Sequence, residues 1–471
     1  MKRNNVYRLL FIVYALLPLL TTGMAKAETL TLQQCIAMAR QNNRTLRNAA
    51  IDIQSANEQS KEAYTRYFPQ ISANVTAFRA FDKMVKGDGT YPAELAALAQ
   101  INPAFADMAS LAGQPYSFAE LNRGYGATLS AMQPLYVGGQ VHTANKLAKV
   151  QEEVSRLQHS LTEKDVVQKV TENYWQIAKV KYNLRTIEAA WKQMDAVYHD
   201  VENFVTAGVT TRSALLKVKM RQQELASNRL KLENADHILR LLLAQQIGAE
   251  EEVDIDVNEN ETLRYENENE TLRYENENVI GRTAGATLAR QELALAQKNV
   301  EAHQLQVKMA RGRLMPTLAV GVMGYHTGFG GLSEAVTRNM KTTMTNCLAL
   351  ATLSIPISDW WGGTHAVRRA RLKAQQAQND YLDAQEKLAI DTETAWSNLA
   401  EAYQQIDLAR ATGDEAAENL RMSLAHYKAG TETLSDLLDA ETLNRQAQDS
   451  LAAAIATYHI RLADYQRKTG K

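Results

Sequence analysis

Apolar and polar positions along this chain follow two different rhythms. In short stretches they alternate with period two: Ile71, Val75 and Ala77 against Ser72, Asn74 and Thr76; Ala127, Leu129 and Ala131 against Thr128 and Ser130; Leu353 and Ile355 against Thr352 and Ser354. One apolar and one small polar face is the signature of a strand, and about ten residues is enough to cross a bilayer when tilted. The stretches fall in windows without any Asp, Glu, Lys or Arg, at 124–145, 314–333 and 342–358, with a shorter one at 70–78. Four strands are predicted. Elsewhere the apolar positions recur at spacings of three and four, as in Val166, Val170, Tyr174 and Ile177. That rhythm predicts helices over 31–66, 140–207, 211–246, 283–313, 364–428 and 432–468, each with one packed and one wet face. At a rise of ~1.5 Å per residue, the two longest reach on the order of 100 Å.

The prolines punctuate these elements twice. Outside the N-terminal segment and one loop, only Pro69, Pro134, Pro316 and Pro356 remain. Arg66-Tyr-Phe-Pro69 is echoed by Arg313-Leu-Met-Pro316, and Pro134…Gly138-Gly139 by Pro356…Gly362-Gly363. Proline ends helices, so Pro69 and Pro316 should open the outgoing strands and Pro134 and Pro356 close the returning ones. A second echo joins Ala207-Gly208, followed by Leu215-Leu216, to Ala429-Gly430, followed by Leu437-Leu438 at the same spacing. The chain therefore reads as a duplicated unit, one long helix beside two short ones in each half. The predicted organisation is a first-half helix at 28–68, a strand pair at 69–139 holding a large loop at 79–124, and a helical hairpin at 140–249. A second-half helix at 281–315, a strand pair at 316–361 and a second hairpin at 362–471 follow.

Composition adds an address. Lys2, Arg3 and Arg8, the apolar run Leu9 to Leu20 and the small-x-small site Ala25-Lys26-Ala27 predict an export signal over 1–27. Its removal takes away four bases and no acid from totals of 52 and 53, so the mature charge is about −5. Such mild acidity gives no reason to expect a nucleic-acid partner. Cys35 and Cys347 lie in unlike segments and are expected as free thiols; Leu32-Gln33-Gln34 lacks the small residues of a lipid-attachment site. No later stretch is apolar enough for a membrane helix. Residues 250–280 hold a tandem nine-mer, Asn258 to Glu266 and Asn267 to Glu275, an acidic insert that cannot build a core. His142, His303, His365 and His426 are scattered without ligand spacing, and neither a metal nor a cofactor is expected. Nucleophile elbow and phosphate loop are missing too, so no enzymatic activity is expected.

A four-stranded sheet in lipid would expose its edges, so further copies of the chain must close it. Two copies make eight strands, whose interior side chains fill; three make twelve, which leave a lumen, and the trimer is the expectation. In the opening Leu30-Thr31-Leu32-Gln33-Gln34-Cys35-Ile36-Ala37-Met38-Ala39, the paired prolines, the Gly-Gly turns and the repeated hairpin tip, the chain resembles the TolC-like outer membrane efflux proteins over nearly all of residues 29–468. The resemblance implies a mainly α fold with a transmembrane β part. Long hairpins would form a periplasmic α-barrel, and four strands per chain would contribute to a trimeric 12-stranded outer-membrane β-barrel. It further implies a conduit that takes cargo from an inner-membrane pump through a periplasmic adaptor, for efflux or type I secretion.

Site residues follow from the same resemblance. A periplasmic gate is implied at the tip Tyr427 to Asp439, with Asp436 and Asp439 in the aspartate positions and Tyr427 in the latch position. Three residues apart, the two carboxylates share a helix face, which is also how an ordinary solvated face would look. Glu432 and Ala214 stand where the family's latch has a basic and an acidic residue, so a different closing pair is needed, and Arg212 with Glu432 is the candidate. The tips Ala207-Gly208-Val209-Thr210 and Ala429-Gly430-Thr431 resemble adaptor-docking segments, although a glycine between helices has a capping role of its own. Trp360 and Trp361 would anchor the barrel at the inner membrane interface, a role compatible with packing on the helix below. A periplasmic adaptor-like helical scaffold is the competing reading, since such proteins are also exported and rich in long helices.

Overall fold

The structure is a computed structural model that describes residues 29–81, 87–118, 123–255, 290–330 and 343–469. The expected signal segment and the tandem nine-mer lie outside the described residues.

Helices α1 (Leu32–Asn42) and α2 (Arg44–Thr65) open the chain. Where one helix was expected over 31–66, Asn43 divides two. Its backbone turns to φ −60°, ψ 124°, and its side-chain oxygen takes the amides of Thr45 and Leu46 at 2.9 and 3.1 Å, capping α2. Strand β1 (Gln70–Arg79) follows. The 79–124 segment then holds a small antiparallel pair, β2 (Gly87–Thr90) with β3 (Pro115–Phe118), and two single-turn helices, α3 (Leu98–Ile101) and α4 (Ala106–Ala109). Strand β4 (Arg123–Val137) leads into α5 (Gln140–Thr206) and α6 (Arg212–Ile247). The second half runs through α7 (Gln291–Gly312), β5 (Thr317–Gly330), β6 (Thr343–Ser354), α8 (Gly362–Lys428) and α9 (Leu434–Thr469). The duplication extends to length: α5 and α8 each have 67 residues, α6 and α9 each have 36.

Contacts divide the chain into two compact units. Of the described residues, those before 56, between 153 and 299 and after 377 form the first, and those between 56 and 152 and between 300 and 377 the second. In the first, the stripe Val166, Val170, Tyr174 and Ile177 is buried with Cys35, Ala39, Leu243, Ile247 and Ala456. A second core of Ala190, Met194, Val197 and Val201 joins Val218, Leu225, Leu420, Leu434, Leu437 and Ala440 from α6, α8 and α9. No described helix is long and apolar enough to cross a membrane.

The second unit holds an antiparallel sheet in the order β1-β4-β5-β6, which leaves β1 and β6 as edges. The register puts Ile71, Val75, Leu129, Val322 and Leu353 on one face, each at least half exposed. Ser72 and Ser130 meet on the other, Oγ to Oγ at 2.9 Å. On that second face β5 and β6 carry Met323, Tyr325, Leu348 and Leu350 beside Thr327, Asn346 and Thr352, so it mixes polar and apolar side chains.

Pro69 and Pro316 immediately precede β1 and β5. Pro134, by contrast, lies inside β4, where the register with β5 slips between Pro134 and Tyr136; a bulge is where a strand tolerates a residue without an N–H. The Gly-Gly echo also shifts. Gly138 and Gly139 have φ of 61° and 72° just before α5, and the matching pair just before α8 is Trp360 and Trp361, at 55° and 67°. At Gly138 the backbone of Gly312 leaves no room for a Cβ. Trp360 and Trp361 are 84% and 70% exposed in the single chain.

Candidate functional site

The candidate gate lies in the first unit, where two helical hairpins turn. Both turns use the same device. At the end of α5 the Gly208 amide donates to Val205 O and the Val209 amide to Phe204 O, with Gly208 at φ 73°. At the end of α8 Gly430 donates to Tyr427 O and Thr431 to His426 O, with Gly430 at φ 75°. These are Schellman caps, which satisfy the helix's last carbonyls and need a left-handed residue that only glycine supplies without strain. Ala207, Val209, Thr210, Ala429 and Thr431 flank them, and Val209 is exposed. The shared core of α5, α6, α8 and α9 lies beneath.

The tip side chains divide into three groups. Asp436 occupies the first turn of α9 and closes a capping box: its carboxylate accepts from Thr433 Oγ1 at 2.6 Å and from the Thr433 amide at 3.2 Å, while Thr433 Oγ1 accepts from the Asp436 amide. Asp439 lies one turn on, exposed on the same face, with Leu437 and Ala440 buried behind. Tyr427 packs on the shared core, and burial, then the nearby Asp200 carboxylate, pushes its hydroxyl above the ordinary value.

The expected pairing of Arg212 with Glu432 does not form. Arg212 is exposed without an ion pair among the described residues, and Glu432 accepts from Ser423 Oγ at 2.7 Å. Two other links join α6 to α9. Lys217 Nζ donates to Ser435 Oγ at 2.9 Å, and Arg221 donates through Nε and Nη2 to Glu441 while its Nη1 reaches Glu224 at 2.5 Å. The side chains of Arg221 and Glu441 are only 8% and 2% exposed. Burial acts to lower the Arg221 guanidinium, but the hydrogen bonds and charges of Glu441 and then Glu224 outweigh it and hold it above its ordinary value. Both residues were legible as oddities: Arg221 sits between Val218 and Leu225, and Glu441 follows Leu437 and Ala440, on stripes that are otherwise apolar.

Among the described residues no cluster of His, Cys, Asp and Glu could hold a metal ion. The geometry is that of a helical framework with charged tips, and its pattern is matched elsewhere. Residues 35–248 and 285–470 match the model of the outer membrane efflux protein family. The chain belongs to that family. Across 89% of the chain and 82% of the relative, it is 21% identical to a pyoverdine export outer membrane protein of Pseudomonas putida, OpmQ. The outer membrane channel CmeC of Campylobacter jejuni superposes with a TM-score of 0.70 over 93% of this chain and 85% of that one, at 14% identity. The outer membrane protein VceC of Vibrio cholerae superposes at 0.68 over 93% and 96%, also at 14% identity. The protein is an outer membrane efflux channel component, mainly helical with a membrane-spanning β part, and the adaptor-like reading falls away.

Proposed function

We propose that three copies of this chain form a 12-stranded barrel in the outer membrane, through which cargo handed over by an inner-membrane pump and a periplasmic adaptor leaves the cell without being chemically changed. The observation that carries this is the sheet β1-β4-β5-β6: it is apolar on one face and has two unpaired edges, which hydrocarbon does not tolerate. Closure by two further copies supplies partners for both edges and an open lumen. Export of pyoverdine by the Pseudomonas putida relative favours a small molecule over a protein as cargo. The tips 207–210 and 429–431 are the proposed adaptor contacts, and Trp360 and Trp361 the inner interfacial anchors.

At the tip, Asp436 and Asp439 would give six carboxylates per trimer around one constriction, favouring cations. In planar bilayers the purified protein should conduct as a trimer, and Asp436→Asn with Asp439→Asn should lower its cation selectivity. Unchanged selectivity would return both residues to an ordinary solvated helix face. Recovery of the wild-type chain as a soluble periplasmic monomer would overturn the conduit itself.

A further inference from the structure

The four strands contain no acid, and their only Lys or Arg residues are Arg79 and Arg123. These two are not dispersed. They are direct partners in the β1–β4 register, side by side on the face that carries Ile71, Val75 and Leu129. Like charges directly opposite each other destabilise a strand pair. Both side chains are exposed, and neither has an ion pair among the described residues. On its other side Arg123 is opposite Gly330, which brings no side chain.

The pair also ends the apolar face at a defined level. Below it Tyr125 OH lies 3.4 Å from His326 Nε2, and His326 Nδ1 lies 2.6 Å from Thr345 Oγ1. From Arg123 to Gln133 the strand advances ~33 Å, which at the usual tilt of about 40° is ~25 Å of bilayer, the height of a barrel's apolar band. Two guanidiniums at that edge, with a tyrosine hydroxyl beneath, form a set of hydrogen-bond donors with net positive charge.

We infer that Arg79 and Arg123 together bind the phosphate of an anionic lipid headgroup in the outer leaflet, which neutralises their mutual repulsion and fixes the depth of the barrel. The inference rests on the reading of the sheet as part of a membrane barrel. Paired guanidinium forks match phosphate oxygens, a geometry that ammonium groups do not reproduce.

The test uses the full-length protein in neutral detergent with a diphosphorylated glucosamine-disaccharide lipid, followed by native mass spectrometry. Wild type should retain this lipid over its dephosphorylated form. The Arg79→Gln/Arg123→Gln protein should bind about tenfold more weakly or worse, as expected from losing charge-assisted bonds. The Lys double variant should fall between, and Arg368→Gln/Arg369→Gln, on α8, should match wild type. Equal retention by the Gln double variant, or an equal loss in the α8 control, would overturn the inference. Displacement by millimolar inorganic phosphate would overturn the lipid assignment and leave a simple anion site. A protein that conducts as a trimer yet shows no phosphate preference refutes this inference alone, whereas one that never inserts refutes the conduit.

Discussion

Trp360 and Trp361 hold a conformation that costs a non-glycine residue roughly 1–2 kcal/mol, at positions where the first half of the chain uses glycine. Strain of this kind persists where the side chain is needed. Replacing both by glycine should leave the thermal midpoint unchanged or raised while weakening retention in the membrane, measured by extraction with increasing detergent. If stability falls in parallel with retention, the strain account is wrong. His459 supports a prediction of a different kind. Its ring stacks on Trp175 at 3.7 Å, its Nε2 is enclosed without a hydrogen-bond partner among the described residues, and burial lowers its pKa to about 4. The folded state therefore favours the neutral ring. The stability this contributes is complete above the ordinary value of 6.5 and is lost as pH falls through the window down to about 4. The full loss would be about 3 kcal/mol. Denaturant midpoints at pH 7 and pH 5 should differ more for the wild type than for His459→Phe, and equal pH slopes would sink the idea.

Among the elements, the contact between α6 and α9 is held by a buried charge pair, and breaking such a pair differs from replacing it. Glu441→Ala leaves the Arg221 guanidinium buried with Glu224 as its remaining acid and should destabilise the protein by about 3–5 kcal/mol, whereas Arg221→Met with Glu441→Leu should be near neutral. Chemical denaturation of both variants separates the two outcomes; a single variant as stable as the double one contradicts the assignment. Much of the helical framework could be read in advance because periodicity reports on burial directly. Val166, Val170, Tyr174 and Ile177 fall into one core as their spacing requires. What stayed hidden depends on partners distant in sequence. Asn43 breaks the first helix, and its Nδ2 also donates to Gln246 O at 2.7 Å, across more than two hundred residues. The sequence marks Arg221 and Glu441 as polar residues on apolar stripes but does not say that they meet, whereas Arg212 and Glu432 stand at the tips and form no pair. Gly138-Gly139 and Gly362-Gly363 match in residue identity alone; backbone conformation pairs the first two glycines with Trp360 and Trp361.

For the whole molecule, the duplication and the open sheet make one demand together. Gly138, Pro134 and Gly208 recur 222 residues later as Trp360, Pro356 and Gly430, so each chain supplies two equivalent halves, yet its sheet still ends in two unpaired strands. If copies close the barrel, β1 of one must pair with β6 of the next, and the chain carries a natural reporter for that seam. Cys347 is a free, exposed thiol on β6, on the face shared with Val322 and Ile71. In a Cys35→Ser background, single cysteines walked along β1 should reach it only from that face, at one or two of Ile71, Ala73, Val75 and Ala77. Opposed residues on one face bring Cβ atoms within about 5 Å, near what a disulfide requires, while the alternate positions Ser72, Asn74 and Thr76 project to the other side. Mild oxidation should then yield ladders that stop at three chains on denaturing gels. Crosslinking at even and odd positions alike would refute a β1–β6 seam, and ladders beyond three chains would refute closure at the trimer.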